Sequence, residues 1–257
     1  MGAEYARAVR TPIREARIRR SMPTLYPLAA TLAAYLVGSL SFAILISRAF
    51  GLSDPRTYGS GNPGATNVLR SGHKVAAALT LLFDALKGYV PVALVQMFGA
   101  GYGLGEGTAA AVALAAFLGH LWPVFFKFEG GKGVATAAGA IFGLNPMLGL
   151  ATAATWVIIA AFFRYSSLAA IVAAVFAPFY QLLIWGGGEA AGAVTLMGLL
   201  LVWRHSANIQ KLLKGTESKL GQNKPATRAA APHGHATHGA HKHPPAPQHG
   251  HKKEAKR

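Results

Sequence analysis

The chain has 257 residues, of which 52% are hydrophobic and only 13% charged, and its formal net charge is +16. Nine acidic residues are too few to solvate a water-soluble domain of this length, while several uncharged runs reach the roughly 17–25 residues that a bilayer crossing needs. Cysteine is absent, which excludes disulfides, thiol catalysis and cysteine-based metal sites. Much of the positive charge lies in the two tails, so it argues for contact with anionic lipid or an anionic substrate more than for nucleic acid.

Taken in order, residues 1–24 form a basic arm with Arg7, Arg10, Arg14, Arg17, Arg19 and Arg20. It lacks the apolar core and small-residue cleavage site of a signal peptide. The run Leu25–Ser47 is uncharged and predicts a first membrane helix. A polar loop, Arg48–Lys74, follows. Val75–Met97 predicts a second helix, interrupted by Asp84 and Lys87, and Gly107–Phe126 a third, with His120 and Pro123 near its end. Lys127–Gly133 reads KFEGGKG.

The next thirty residues, Val134–Phe163, carry no charge, which is long for one crossing. Gly143, Asn145 and Pro146 break the run, because a proline disfavours helix at the residue before it. A short helix over about 134–144 and another over about 147–163 are expected. The short one reaches only ~18 Å at 1.5 Å per residue, so its flanking KFEGGKG loop must sink toward the membrane, where irregular backbone has to be packed in protein or line a cavity. Ser167–Ile184 and Ala190–Val202 predict the last two helices. The segment 222–257 holds alanine, proline, lysine and seven of the ten histidines. It lacks the apolar content to fold and reads as a disordered cationic tail rather than a histidine metal site.

Lysine and arginine fall after the first, third, fifth and seventh runs and are missing from the turns after the second, fourth and sixth. The positive-inside rule then predicts seven crossings, with the N-terminus outside and the C-terminus inside. The basic arm disagrees with that orientation, and translation from Met22 would remove the conflict. The expected architecture is an all-α integral membrane protein, a transmembrane domain over 25–221 flanked by the arm and the tail.

Four polar clusters share one membrane face in this topology. The first is Gly59–Arg70, GSGNPGATNVLR, whose Gly59, Gly61 and Gly64 tolerate unusual dihedrals and so can turn backbone N–H groups toward an anion. Arg70 adds an always-charged fork suited to phosphate. The second is His120 with the GGKG stretch, Gly130, Gly131 and Lys132. The third is Ser166 and Ser167. The fourth is His205, Asn208 and Glu217, of which the first two share a helix face. Cations, hydroxyls and amides with few carboxylates suit anionic substrates, and polar groups gathered at the end of a bundle are usually functional. GGKG is not a nucleotide-binding P-loop, since Lys127 stands at the position of its first glycine and Gly133 at that of its Ser or Thr. No His-x4-Asp signature of soluble-headed acyltransferases and no GxSxG elbow occurs.

Together, GSGNPGATNVLR (59–70), GHLWPVFFKFEGGKGVAT (119–136), RYSSLAA (164–170), RHSANIQKLLKGTE (204–217) and DALKG (84–88) resemble the bacterial acyl-phosphate glycerol-3-phosphate acyltransferases, the PlsY family. The resemblance covers about residues 25–221. It departs at GSLSFA, Gly38–Ala43, where the family usually has a proline near Ser41. What it implies is transfer of a fatty acyl group from acyl phosphate to the 1-hydroxyl of sn-glycerol 3-phosphate. This is the first step of phospholipid synthesis, run without a cofactor or metal in the bacterial cytoplasmic (inner) membrane.

The implied catalytic residues are Ser60, Arg70, Lys132, His205 and Asn208. The implied substrate-binding residues are Gly61, Asn62, Asn67, His120, Gly130, Gly131, Ser166, Ser167 and Glu217. Ser60, Arg70 and Lys132 would hold phosphate, helped by Asn67 and the loop amides. His205 and Asn208 would position the glycerol hydroxyls, and Ser166 and Ser167 would donate to the acyl phosphate head. Either a histidine or a substrate phosphate oxygen takes the proton, and the resemblance favours the phosphate. Asp84 and Lys87 read as a structural intramembrane pair. Membrane lipid is a partner, and the enzyme that supplies acyl phosphate is a candidate one. The alternative reading is a transporter for an anionic phosphorylated metabolite, which would show repeats and midplane polar groups; neither is evident.

Overall fold

A computed structural model describes residues 25–222, so the basic arm, Met22 and nearly all of the tail lie outside the described residues. The described residues are helical and contain no strand. In chain order the helices are α1 (Leu25–Gly38), α2 (Phe42–Ala49), α3 (Ala65–Leu69), α4 (Lys74–Phe98), α5 (Glu106–Leu121), α6 (Val134–Leu144), α7 (Pro146–Phe163), α8 (Ser166–Tyr180), α9 (Glu189–Arg204) and α10 (Ser206–Leu213). Four are long and apolar enough to cross a membrane, and six crossings result if α1–α2 and α9–α10, bent by 43° and 56°, each count as one. Leu28, Leu81, Ile158, Phe162 and Leu199 are exposed on the bundle's outside, and Phe162 is 83% exposed. Side chains of this kind, in this number, need lipid rather than water around them.

The break at the end of the short helix is present where expected. Asn145 ends α6 and caps α7, its Oδ1 accepting from the N–H groups of Met147 (3.0 Å) and Leu148 (3.1 Å), with Pro146 as the first helical residue. The expected unbroken helix over Leu25–Ser47 is not found. The chain bends between Gly38 and Phe42, without the family's proline, because packing elsewhere outweighs helix propensity. The third run also stops early, at Leu121, since Trp122 precedes Pro123 and takes a non-helical backbone.

Small residues set the helix spacing, as expected in lipid, where close backbone approach replaces the hydrophobic drive. A Cβ on Gly38 would collide with the Ala116 carbonyl of α5, and one on Gly139 with the Ala85 carbonyl of α4. Gly139→Val overpacks the α4–α6 crossing. It is expected to cost about 1–3 kcal/mol and to lower the thermal unfolding midpoint in detergent, whereas Ala138→Val should not reproduce that loss.

Asp84 and Lys87 form the buried pair anticipated from their spacing, at 2.8 Å. The Lys87 ammonium also donates to the Leu40 carbonyl at 2.6 Å. It thereby satisfies a backbone oxygen freed by the α1–α2 break.

Candidate active site

The first loop is held shut by one side chain. Asn67 is 1% exposed, and its amide is fully used: Oδ1 accepts from the Ser60 N–H (3.0 Å), while Nδ2 donates to the Pro55 and Tyr58 carbonyls (2.6 and 3.1 Å). Gly59 is required beside it, because its φ is +60° and a Cβ there would strike the Asn67 amide oxygen. This arrangement removes two amides from the expected backbone cradle. The Ser60 N–H is taken by Asn67 and the Gly61 N–H by the Tyr58 carbonyl at 3.0 Å. Gly64 is extended at φ −162° rather than left-handed. The loop offers the cavity Ser60, Arg70 and the Gly64–Thr66 backbone, and Asn67 serves as the clasp that places them.

The second loop is pressed against the end of α5. The Gly131 N–H donates to the His120 carbonyl at 3.1 Å, and a Cβ on Gly130 would overlap that same carbonyl. Lys127 and Phe128 sit at φ 56° and 60°, left-handed backbone that non-glycine residues adopt at a cost. Arg204 then clamps the loop from α9, donating from Nη2 to the Gly130 and Gly131 carbonyls (2.9 and 3.0 Å) and from Nε to Gly131 (3.2 Å). Arg56 of the first loop pairs with Asp54 (2.8 Å) and Glu129 (3.1 Å) and so ties the two loops together. The Asp54 carboxyl is held below its usual range by the Arg56 hydrogen bond.

The two loops and the ends of α8 to α10 enclose one cavity of about 470 Å³. Eleven of the fourteen expected residues line it: Ser60, Asn62, Asn67, Arg70, His120, Lys132, Ser166, Ser167, His205, Asn208 and Glu217. The other three do not. Gly61 and Gly130 face a separate recess with Arg56, Glu129 and Arg204, and Gly131 is spent on backbone packing.

Inside the cavity a chain of hydrogen bonds fixes the polar groups. The Lys132 ammonium donates to Asn208 Oδ1, Asn208 Nδ2 donates to Glu217 (2.8 Å), and the Ser167 hydroxyl donates to the same carboxylate oxygen (2.7 Å). Glu217 thus orients Asn208 and Ser167. With its proton on Glu217, Ser167 presents lone pairs to the cavity and not the expected donor. Ser166 lies 3.4 Å from Thr66 and is the hydroxyl left for a ligand. Arg70 donates to Ser218 at 2.7 Å. His205 is 3% exposed, and its Nδ1 donates to the Leu201 carbonyl at 2.8 Å, which leaves Nε2 as an acceptor while the ring is neutral. His120 lies within 3.1 Å of Thr136 Oγ1 and 3.7 Å of Asp84, so it is partnered from behind.

Burial pulls the Lys132 ammonium down to about 8, and Lys211, Arg204 and Arg70 add to that pull against the opposing charge of Glu217. A half-desolvated cation beside other cations is a site prepared for an anion. Away from the polar end the cavity continues as an apolar groove past Val134, Ala137, Ile141, Ala174 and Leu201.

A family model described as glycerol-3-phosphate acyltransferase matches residues 28–215. This chain belongs to the glycerol-3-phosphate acyltransferase family. A glycerol-3-phosphate acyltransferase of Albidiferax ferrireducens is 60% identical over 209 residues, 79% of this chain and 92% of the relative. One of Ralstonia pickettii is 65% identical over 195 residues, 76% and 94% of the two chains. The fold is shared with crystal structures of PlsY (YgiH), an integral membrane glycerol 3-phosphate acyltransferase. Its glycerol 3-phosphate form has a TM-score of 0.71 at 37% identity, covering 76% of this chain and 96% of that one. Its lysophosphatidic acid form has a TM-score of 0.70 at 36% identity, with the same coverage. For this acyltransferase family member the match takes in both loops and ends close after α10, so Glu217 and Ser218 of the cavity wall lie just past its end.

Three cavity-wall or loop-holding residues were not anticipated as site residues: Thr66, Ser218 and Arg204. Arg204 had a signal, since it adjoins His205 in the RHSAN stretch, but its charge was read only as a topology marker. Thr66, on the short α3, and Ser218, past α10, are ordinary hydroxyls and carried no signal of their own.

Proposed function

We propose that the protein transfers a fatty acyl group from acyl phosphate to the 1-hydroxyl of sn-glycerol 3-phosphate, giving lysophosphatidic acid and inorganic phosphate. The observation that carries this reading is the single cavity whose cationic end, Arg70 and Lys132, runs into an apolar groove between the helices. Such a cavity can hold two phosphates and one alkyl chain together.

The chemistry needs no covalent intermediate, because an acyl phosphate is already activated. The glycerol oxygen attacks the acyl carbon, the bond from that carbon to the phosphate oxygen breaks, and inorganic phosphate leaves. Arg70 and Lys132 offset the charge that develops on the leaving phosphate, Ser60 and Ser166 donate to phosphate oxygens, and a phosphate oxygen takes the hydroxyl proton. His205 Nε2 and Asn208 hold the glycerol hydroxyls, which turns much of the barrier into orientation set in advance.

The reading includes seven crossings, the short α6 added to six, with an N-terminus outside and the site facing the cytosol in the bacterial inner membrane. It includes the acyl-phosphate-supplying enzyme as a partner, and the arm (1–24) and tail (222–257) as additions to a catalytic domain over 25–221. The experiment is turnover by purified protein given acyl phosphate and labelled glycerol 3-phosphate, with no acyl-CoA or acyl carrier protein. Equal amounts of lysophosphatidic acid and phosphate are expected; absence of product overturns the reading.

Lys132 gives the site a pH signature. Its ammonium is charged below about 8, and a bound phosphate raises its proton affinity, so binding takes up a proton above that pH. Glycerol 3-phosphate affinity, measured by calorimetry, should therefore be constant between pH 7 and 7.5 and fall about tenfold by pH 9. Lys132→Arg stays charged and should flatten the profile, and a fall of the same size in that variant would assign it to another group.

A further inference from the structure

The apolar part of the cavity contains two hydrogen-bonding groups with nothing to bond. Thr152 and Trp156 lie four residues apart on α7, and both line the cavity wall. Thr152 is 7% exposed, and its Oγ1 and the Trp156 Nε1 are enclosed, each with under 1 Å² of accessible surface and no hydrogen-bond partner among the described residues, so a chain in the groove meets them once the two side chains turn toward it.

Thr152 is unlike three other threonines of these helices. Thr31, Thr80 and Thr155 each donate to the carbonyl four residues back, at 2.8, 2.8 and 2.9 Å. That bond is open to any helical threonine and closes the hydroxyl within its own helix. Thr155, one turn fraction away on α7, uses it; Thr152 does not. The groove offers the pair no alternative, because Ala173, Ala174, Ala177, Val194 and Met197 share its wall and have no polar side-chain atoms. Both groups are thus buried and unsatisfied before any chain enters, a costly arrangement in apolar surroundings that a plain alkyl chain in the groove would not relieve.

We propose that Thr152 and Trp156 form a binding station for an oxygen substituent on the acyl chain, so that the protein accepts hydroxylated or oxo fatty acyl phosphates as well as unsubstituted ones. The pairing is chemically complete for a hydroxyl. The indole N–H can only donate and meets the substituent's oxygen; the threonine hydroxyl can accept and takes the substituent's proton. The inference rests on the acyl-transfer reading above and adds the class of acyl chain to it.

The test is a positional scan. Purified protein is given hexadecanoyl phosphate and a series of hexadecanoyl phosphates carrying one hydroxyl at successive carbons, and kcat/KM is measured for each. The pair occupies one depth in the groove, so one hydroxyl position should exceed those two carbons to either side by at least fivefold. In Thr152→Val and in Trp156→Phe the ratio of that substrate to its neighbours should fall to about one, while Thr152→Ser should keep it. A profile without a maximum in the wild-type protein overturns the station, and so does a maximum that survives both substitutions. A single water held by the pair would serve every chain alike and give the flat profile. Failure of hexadecanoyl phosphate itself to turn over in the wild-type protein would instead sink the acyl-transfer reading, and the station with it.

Discussion

Replacing Arg70 by alanine is expected to lower kcat/KM for glycerol 3-phosphate by about 10²–10³-fold, the scale seen when one preorganised donor to a developing charge is removed. Arg70 sits just after α3 on the cavity rim, and its side chain is exposed. It donates to the neutral Ser218 hydroxyl and makes no ion pair among the described residues. Its charge is therefore free for a phosphate. Its removal leaves no buried group unpaired, so the thermal midpoint should stay within a degree or two of wild type. Arg70→Lys should recover only part of the loss, since an ammonium cannot present two parallel N–H groups to one phosphate. Unchanged kinetics in the alanine variant would take Arg70 out of the site.

Lys132→Met should separate activity from stability. The ammonium faces Asn208, Glu217 and the leaving phosphate, and its loss is expected to cost about 10²–10³-fold in kcat. Stability should move the other way. Burial lowers the folded pKa from 10.5 to about 8, so the charged form is disfavoured in the folded protein. The penalty, of order 3 kcal/mol, is fully present below pH 8 and disappears as pH rises from 8 toward 10.5. Methionine keeps the stem and removes the charge, so the variant should unfold at a higher temperature than wild type at pH 7 and at nearly the same temperature at pH 10. A variant less stable than wild type at pH 7 would mean that the Asn208–Glu217 chain gains more from the ammonium than burial costs it. In that case the charge serves the fold as well as the substrate.

Much of the helix layout was legible because its signals are local. Asn145–Pro146 announces a stop and a cap in two residues, and the run lengths leave few choices for the rest. The α1–α2 bend was not legible, because its causes lie elsewhere in the chain: a carbonyl of α5 against Gly38, and Lys87 of α4 under Leu40. The site divides in the same way. Cations such as Arg70 and Lys132 stood out because an unpaired charge beside lipid demands an anion. The glycines carried less information, since GSGNPG reads as a backbone nest while Asn67, seven residues beyond Ser60, takes one of its amides, that of Ser60. Glycine in GGKG likewise has a packing reason, the lack of space beside His120 and Leu121. Such uses of glycine look identical until the partner backbone is in view.

The central claim is that one cavity holds both phosphorylated molecules at the moment of transfer. Initial rates measured over a grid of acyl phosphate and glycerol 3-phosphate concentrations test it most directly. Double-reciprocal lines that intersect, with no phosphate released before glycerol 3-phosphate is added, are the expected result. Parallel lines, with a burst of phosphate from acyl phosphate alone, would mean that the acyl group rests on the protein between two half-reactions, and would contradict simultaneous occupancy.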